Sequence, residues 1–385
     1  MIKAMKKMLV VACAIGVFDV VVGIGGVAVM AAMPGQLVAA KVEARPFRLR
    51  SLKLLPDVDE EKPIGRDFRS GFAIHGDSVI GDFGDGWIGS RVFTDDKFNW
   101  WFNAGGEVTS PMANLGGFVV FGVRSGKVFK VDIATGKRAW EASLDSFSDR
   151  KPVLAGNTLL IQTSAQVIYA IDYQTGKSLW LFDAGFPDGL TVGGGASPLV
   201  FGDMVVAGLA SGEVVAVGLQ SGKQSWRVNP SISEARFRDV VGEMHVKDGL
   251  LYLTRYDGVV AAVDTKSSDI RTAWQEKFPA IASSTNRNGT MYVGCVNGDV
   301  MALDEGNQGR QLWRTMTGSS ISTLTAAETR LVSSASDGRV FAFDIQSGAV
   351  QWQDNVGYNI TAQPLFMADG IYFVTGLGNA YGYRM

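Results

Sequence analysis

One phrase recurs eight times along this 385-residue chain, and its period restricts the fold more than any single residue does. The phrase opens on Gly or Gln, passes through alternating apolar residues, often reaches Asp, turns through Thr/Ser-Gly and ends on Trp. "YAIDYQTGKSLW" (169–180) is one copy; "GKVFKVDIATGKRAW" (126–140), "EVVAVGLQSGKQSW" (213–226) and "GRVFAFDIQSGAVQW" (338–352) are others. Openings fall at Gly86, Gly126, Gln166, Gly212, Gly258, Gly298, Gly338 and Gly378, with spacings of 40, 40, 46, 46, 40, 40 and 40. Trp100, Trp140, Trp180, Trp226, Trp274, Trp313 and Trp352 close the first seven copies, so seven of the nine tryptophans share one repeat position. A repeat this regular is a structural unit, and it must be recognised before any fold is assigned.

The repetition also disposes of a tempting motif. Thr175-Gly176-Lys177-Ser178 resembles the end of a phosphate-binding loop, but such a loop needs glycine five residues before Gly176, where the chain has Ile171. Ile171 lies in the alternating run 167–171, which is strand-like and leaves no loop to wrap a phosphate. Gly176-Lys177 is a turn.

Each 40-residue period holds four short strand candidates. In the unit ending at Trp140 they lie near 107–111, 118–123, 127–132 and 138–143, separated by "NLGG", "RSGK" and "ATGK". Four antiparallel strands per period of this length is the pattern of a β-propeller blade. A helical repeat fails, because no copy contains a long 3.6-periodic stretch free of glycine. Each Trp can bury about 150–250 Å² between neighbouring blades, an upper bound of roughly 4–6 kcal/mol. Aspartates 132, 172, 264, 304 and 344 sit where a carboxylate accepts turn N–H groups, a structural role rather than calcium binding. Gly136, Gly176, Gly222 and Gly348 supply the left-handed conformation of the hairpin.

The eighth copy, "GNAYGYRM", stops after its third strand, which would leave an open edge. The segment "ARPFRLRSLKL" (44–54) alternates Phe47/Leu49 with Arg48/Arg50 and can supply the missing strand. The expectation is an all-β, eight-bladed propeller over 41–385, closed by an N-terminal strand.

Residues 1–40 are a separate object. Lys3, Lys6 and Lys7 precede an apolar run, Met8 to Met33, in which Asp19 is the only charge. As a helix this run would be about 39 Å long, enough to span a bilayer with tilt. Val38-Ala39-Ala40 offers small residues for a signal peptidase. The segment reads as a signal peptide or a signal-anchor helix, with the ring on the far side of the membrane.

Composition narrows function by exclusion. A formal charge of −2 and no basic stripe give no argument for nucleic acid. Cys13 and Cys295 form no disulfide framework or zinc pattern, and His75 and His245 are the only histidines. Paired carboxylates such as Asp95-Asp96 and Asp59-Glu60-Glu61 fall on loop or linker. No catalytic, cofactor or metal site is expected.

The phrase A/V-x-D-x-x-T/S-G-K-x-x-W resembles the pyrroloquinoline-quinone propeller repeat, which also occurs in proteins that bind no quinone. The adjacent cysteines and extra length of quinone dehydrogenases are missing. The two 46-residue periods, the segment "GLTVGGGASPLVFGDMVVAGLASGEVVAV" (189–217) and the closing "QPLFMADGIYFVTGLGNAYGYRM" resemble the BamB family more closely. That resemblance, from about residue 45 onward, implies a non-enzymatic scaffold of the machinery that inserts outer-membrane β-barrels, on the periplasmic side of the envelope. It implies that rim loops bind a POTRA domain of BamA, the barrel component. Carried over residue by residue, Leu190 and Val192 take the loop's apolar positions, and Arg236 and Asp239 match a basic-then-acidic loop in "SEARFRDVVGEMHV". The family's loop arginine has no counterpart among Val192-Gly193-Gly194, and its second acidic position is Val241. Cys13 follows Val10-Val11-Ala12 in a lipobox-like context, but only five apolar residues separate it from Lys7, and the reading here is a membrane-buried thiol.

The repeat points to the same loops without the family. The extra residues of the third and fourth intervals must be extruded at one rim, because the ring fixes strand length, and such insertions commonly form a binding face. Two other readings stay open: a different envelope-anchored interaction module, and a quinone-binding propeller enzyme. Unfolded barrel strands adding to a blade edge would be further partners.

Overall fold

The computed structural model describes residues 71–385 apart from 93–96, 186–189, 194, 361, 368–369, 376–378 and 385; before residue 71 it describes only short backbone stretches. The acidic runs at 59–61 and 95–96, Cys13 and the opening glycine of the eighth repeat therefore lie outside the described residues.

Six sheets of four consecutive antiparallel strands form blades 1 to 5 and blade 7, and blade 6 is four consecutive strands of a six-stranded sheet. Blade 1 runs from Phe72–His75 to Phe98–Asn103 and blade 2 from Ala113–Leu115 to Arg138–Ser143. Blade 3 ends on Ser178–Asp183 and blade 4 on Gln224–Val228. Blade 5 begins at Val240–Lys247, blade 6 at Ile281–Arg287 and blade 7 at Ile321–Ala326. Blade 8 takes three strands from the C-terminus and its fourth from Arg48–Lys53, with Tyr381 opposite Ser51. The expected closure is present. In blade 2 the first strand lies at Ala113–Leu115 rather than 107–111, where Val108 makes only an isolated bridge to Val123.

The hydrophobic helix expected before the ring falls largely outside the described residues. The backbone pieces described between 11 and 39 are short paired strands, and Ala31 of the last hairpin pairs with Thr315 at the outer edge of blade 6. This run is rich in Val and Gly, which favour extended backbone or weaken a helix.

First strands of neighbouring blades approach one another, so they surround the centre and fourth strands face outward. Eight apolar clusters fill the eight seams. In each blade the third and fourth strands slip register at the same place, and in blades 1 to 7 the slip follows the pair that contains the repeat Trp. Ala170, Ala216, Ala262, Ala302 and Ala342 stand opposite Trp180, Trp226, Trp274, Trp313 and Trp352, and Ser90 opposite Trp100. A small partner and a bulge let the indole lean off its own sheet. It lands on the next blade. Trp100, Trp140, Trp180 and Trp313 donate Nε1–H to Ile133, Tyr173, Leu219 and Ile345 carbonyls at 2.7, 2.9, 2.9 and 3.2 Å. Trp352 instead stacks on Tyr383 of blade 8, ring centroids 5.1 Å apart.

Blade 2 departs from this rule: Lys130 stands opposite Trp140. Lys130 is buried, and its Nζ donates to the Tyr173 carbonyl at 2.9 Å and lies 3.6 Å from the Tyr173 ring centroid. Burial lowers its pKa.

Candidate rim interface

Alternating connections set the two faces of the ring. Fourth-to-first connections and second-to-third turns share one face, called upper here; first-to-second and third-to-fourth turns share the lower face. The two lengthened connections, 184–198 and 229–239, both lie on the upper face and flank blade 4.

Leu190 and Ile232 stand out from these loops, 58 % and 93 % exposed. Arg236 is also exposed and has no ion pair among the described residues. Val192 is half-buried and packs against the cluster at the seam of blades 5 and 6. Asp239, expected at the loop's accessible edge, is buried. Its Oδ1 accepts from the Thr191 hydroxyl and from the Val192 N–H at 3.2 Å. Burial raises its pKa, partly offset by the Thr191 and Val192 hydrogen bonds and by the Arg150 charge. Asp239 thus ties the 190–193 loop to the start of blade 5. The structure brings Val192 and Asp239 together, and leaves Leu190 and Arg236 exposed on the same two connections.

Three further residues hold these loops in place. Buried Arg150 donates Nη1–H to the Thr163 carbonyl at 3.2 Å and pairs with Asp149 at 3.4 Å. Its guanidinium crosses so close under Gly195 that a Cβ there would lie 2.8 Å from Nη2 and 3.0 Å from the Val240 carbonyl oxygen. Arg255, fully buried, pairs with Asp257 at 2.7 Å and donates to the Ser231 carbonyl at 2.6 Å, fixing the base of the second loop. Thr272 adds a hydrogen bond to the Pro230 carbonyl at 3.1 Å. Sequence reasoning missed Ile232, although a lone large apolar residue in "NPSISEAR" was a readable signal. Arg150 and Arg255 gave none, because the carbonyls they hold, of Thr163 and Ser231, lie on other connections.

The surface can do recognition work: two exposed aliphatic anchors and a free cation on buried supports are the elements of a protein-binding patch. Among the described residues no group of three His, Cys, Asp or Glu could hold a metal ion.

Comparison with known proteins agrees with the repeat. The family model described as outer membrane protein assembly factor BamB matches residues 85–308 and 271–384. The Pseudomonas aeruginosa protein of that name is 35 % identical over 120 residues, 30 % of this chain and 31 % of its own length. The Moranella endobia protein is 24 % identical over 280 residues, 70 % of each chain. Matched stretches in the relatives thus range from about a third to 70 % of their lengths. The crystal structure of BamB from Moraxella catarrhalis superposes with a TM-score of 0.74 at 21 % identity, covering 88 % of this chain and all of that one. Repeat, ring and matched residues together place this chain in the BamB family of outer membrane protein assembly factors.

Proposed function

We propose that the chain is a non-enzymatic scaffold subunit of the outer-membrane β-barrel assembly machinery, working on the periplasmic side of the cell envelope. It docks a POTRA domain of BamA through the upper-face loops. Leu190 and Ile232 supply the apolar anchors, Val192 their backing, and Arg236 the polar edge; Asp239 acts through the loop it holds. The observation that carries this reading is the pair of exposed aliphatic side chains on two adjacent, internally pinned connections. Mobile decoration would not require a buried carboxylate and a fully buried arginine beneath it.

Leu190→Asp combined with Ile232→Asp is expected to reduce recovery of BamA in pull-downs by at least about tenfold, given the cost of truncating an interface anchor. Both side chains are solvent-exposed, so melting should stay unchanged. Undiminished recovery of BamA with the double variant would overturn the docking assignment.

Unfolded barrel strands are a second class of partner for which one edge is suited. The outer strand of blade 3 points Leu179 and Leu181 into solvent, 54 % and 56 % exposed, where blade 2 has Ala139 and Glu141. Charge normally guards such an edge against pairing; here leucines hold both central positions and charge stands only at Lys177 and Asp183, which favours addition of an extended strand.

A further inference from the structure

On the lower face, opposite the rim loops, the ends of the inner strands of blades 6, 7 and 8 border an open cavity of about 600 Å³. Arg287 and Arg330 line it with Thr325, Glu328 and Phe366, and Ala326 and Ala327 complete the wall. Neither arginine has a carboxylate partner within salt-bridge distance among the described residues. Arg330 is held by a bond from Nε to the Gln351 amide oxygen at 2.8 Å, which leaves its terminal nitrogens to the cavity. Arg287 Nε is buried with no hydrogen bond at all. An arriving anion would give the two guanidinium groups the countercharge that no described residue supplies within ion-pair distance.

We infer that this cavity is a second binding site, for a carboxylate presented by a short peptide segment next to an apolar side chain. Planar guanidinium forks match a carboxylate by paired hydrogen bonds. Two arginines against Glu328 leave one net positive charge, which suits a monoanion better than a dianionic phosphate. Phe366, 38 % exposed, and the two alanines offer an apolar wall for the neighbouring side chain. The volume accommodates one or two residues of peptide rather than a folded domain, and Thr325 is already committed to Gln363 at 2.8 Å, which fixes that side of the opening. This site lies on the other face from the BamA loops and stands whether or not that docking assignment does.

The test is fluorescence anisotropy on the full-length chain in detergent micelles. The probe is a fluorescein-labelled Gly-Leu-Glu-Leu-Gly amide, with its Gln counterpart and inorganic phosphate as competitors. Saturable binding is expected, weakened about tenfold or more by Arg287→Ala or Arg330→Ala and by Glu to Gln in the probe, and falling with added salt. Arg287→Lys, which keeps the charge and loses the fork, should bind between wild type and the alanine variant. Ala327→Trp should block the cavity with both arginines intact, so a folding defect in one arginine variant does not leave the matter open. No saturable binding by the folded chain, equal competition by the Gln peptide, or phosphate competing as well as the acidic peptide would each overturn the assignment.

Discussion

The Trp and the Gly of the repeat are two halves of one contact made in different blades. Gly176 has φ +73°, and a Cβ on it would meet the Trp140 indole of the preceding blade at 2.8 Å. Gly136 stands likewise over Trp100, Gly222 over Trp180, Gly309 over Trp274 and Gly348 over Trp313. The turn therefore needs glycine twice, for backbone conformation and for room. Gly156, in a first-to-second turn with φ +59° and nothing within 4 Å of its Cβ position, needs it once. Gly156→Ala is expected to cost about 1–2 kcal/mol from the left-handed backbone alone. Gly176→Ala should cost roughly 1–3 kcal/mol more, because the seam is overpacked. Denaturant midpoints of the two variants measure the difference, and equal losses would mean that the indole does not press on the turn. The periodic tryptophans were legible in the sequence because each copy repeats them. Lys130 was not, because its acceptor is the Tyr173 carbonyl of the next blade, and no local pattern announces that.

At the level of the turn, the repeat aspartates behave as their position suggested. Asp132 Oδ1 accepts from the Thr135 N–H and hydroxyl, both at 2.8 Å; Asp172 does the same with Thr175 at 2.7 and 2.8 Å. These bonds, led by the Thr hydroxyl, hold both carboxyls below their ordinary pKa. A depressed folded-state pKa means that the contribution is complete above the unfolded value near 3.9 and fades as pH falls through the folded one. Asp132→Asn together with Asp172→Asn should thus melt below wild type at pH 7, and the gap should close in acid. A gap that persists unchanged below about pH 3 would assign the loss to packing instead. The rim connections show the limit of such reasoning. Their length was visible as a longer period, and so was their extrusion at a rim. That Asp239 turns inward to hold Thr191 and Val192 depends on a neighbouring loop 47 residues away in sequence. An acidic residue in a polar loop reads the same whether it meets a partner protein or its own chain.

Across the whole ring, stability rests on closing a circle of seams, since each blade buries its faces only against its neighbours. Blade 8 is where the circle is made from both ends of the chain: Arg48–Lys53 pairs along Asn379–Tyr383, and Tyr383 stacks against Trp352 of blade 7. On its other side Leu365, Tyr372 and Val374 pack with Phe72, Val79 and Phe83 of blade 1. Removing the outer strand exposes the edge of Asn379–Tyr383 and loosens both seams at once, and every other blade then becomes part of an open stack with two free ends. In repeat architectures such ends fray, and cooperativity declines inward from them. Deletion of residues 44–54 from the full chain is therefore expected to replace one sharp thermal transition by a broad, lower one. Amide exchange should quicken first in blades 8 and 1. Adding a peptide with the sequence ARPFRLRSLKL in trans should sharpen the transition again, since it restores the strand without covalent linkage. A deletion variant that melted as sharply and at the same temperature as the intact chain would show that the ring closes by contacts other than this strand.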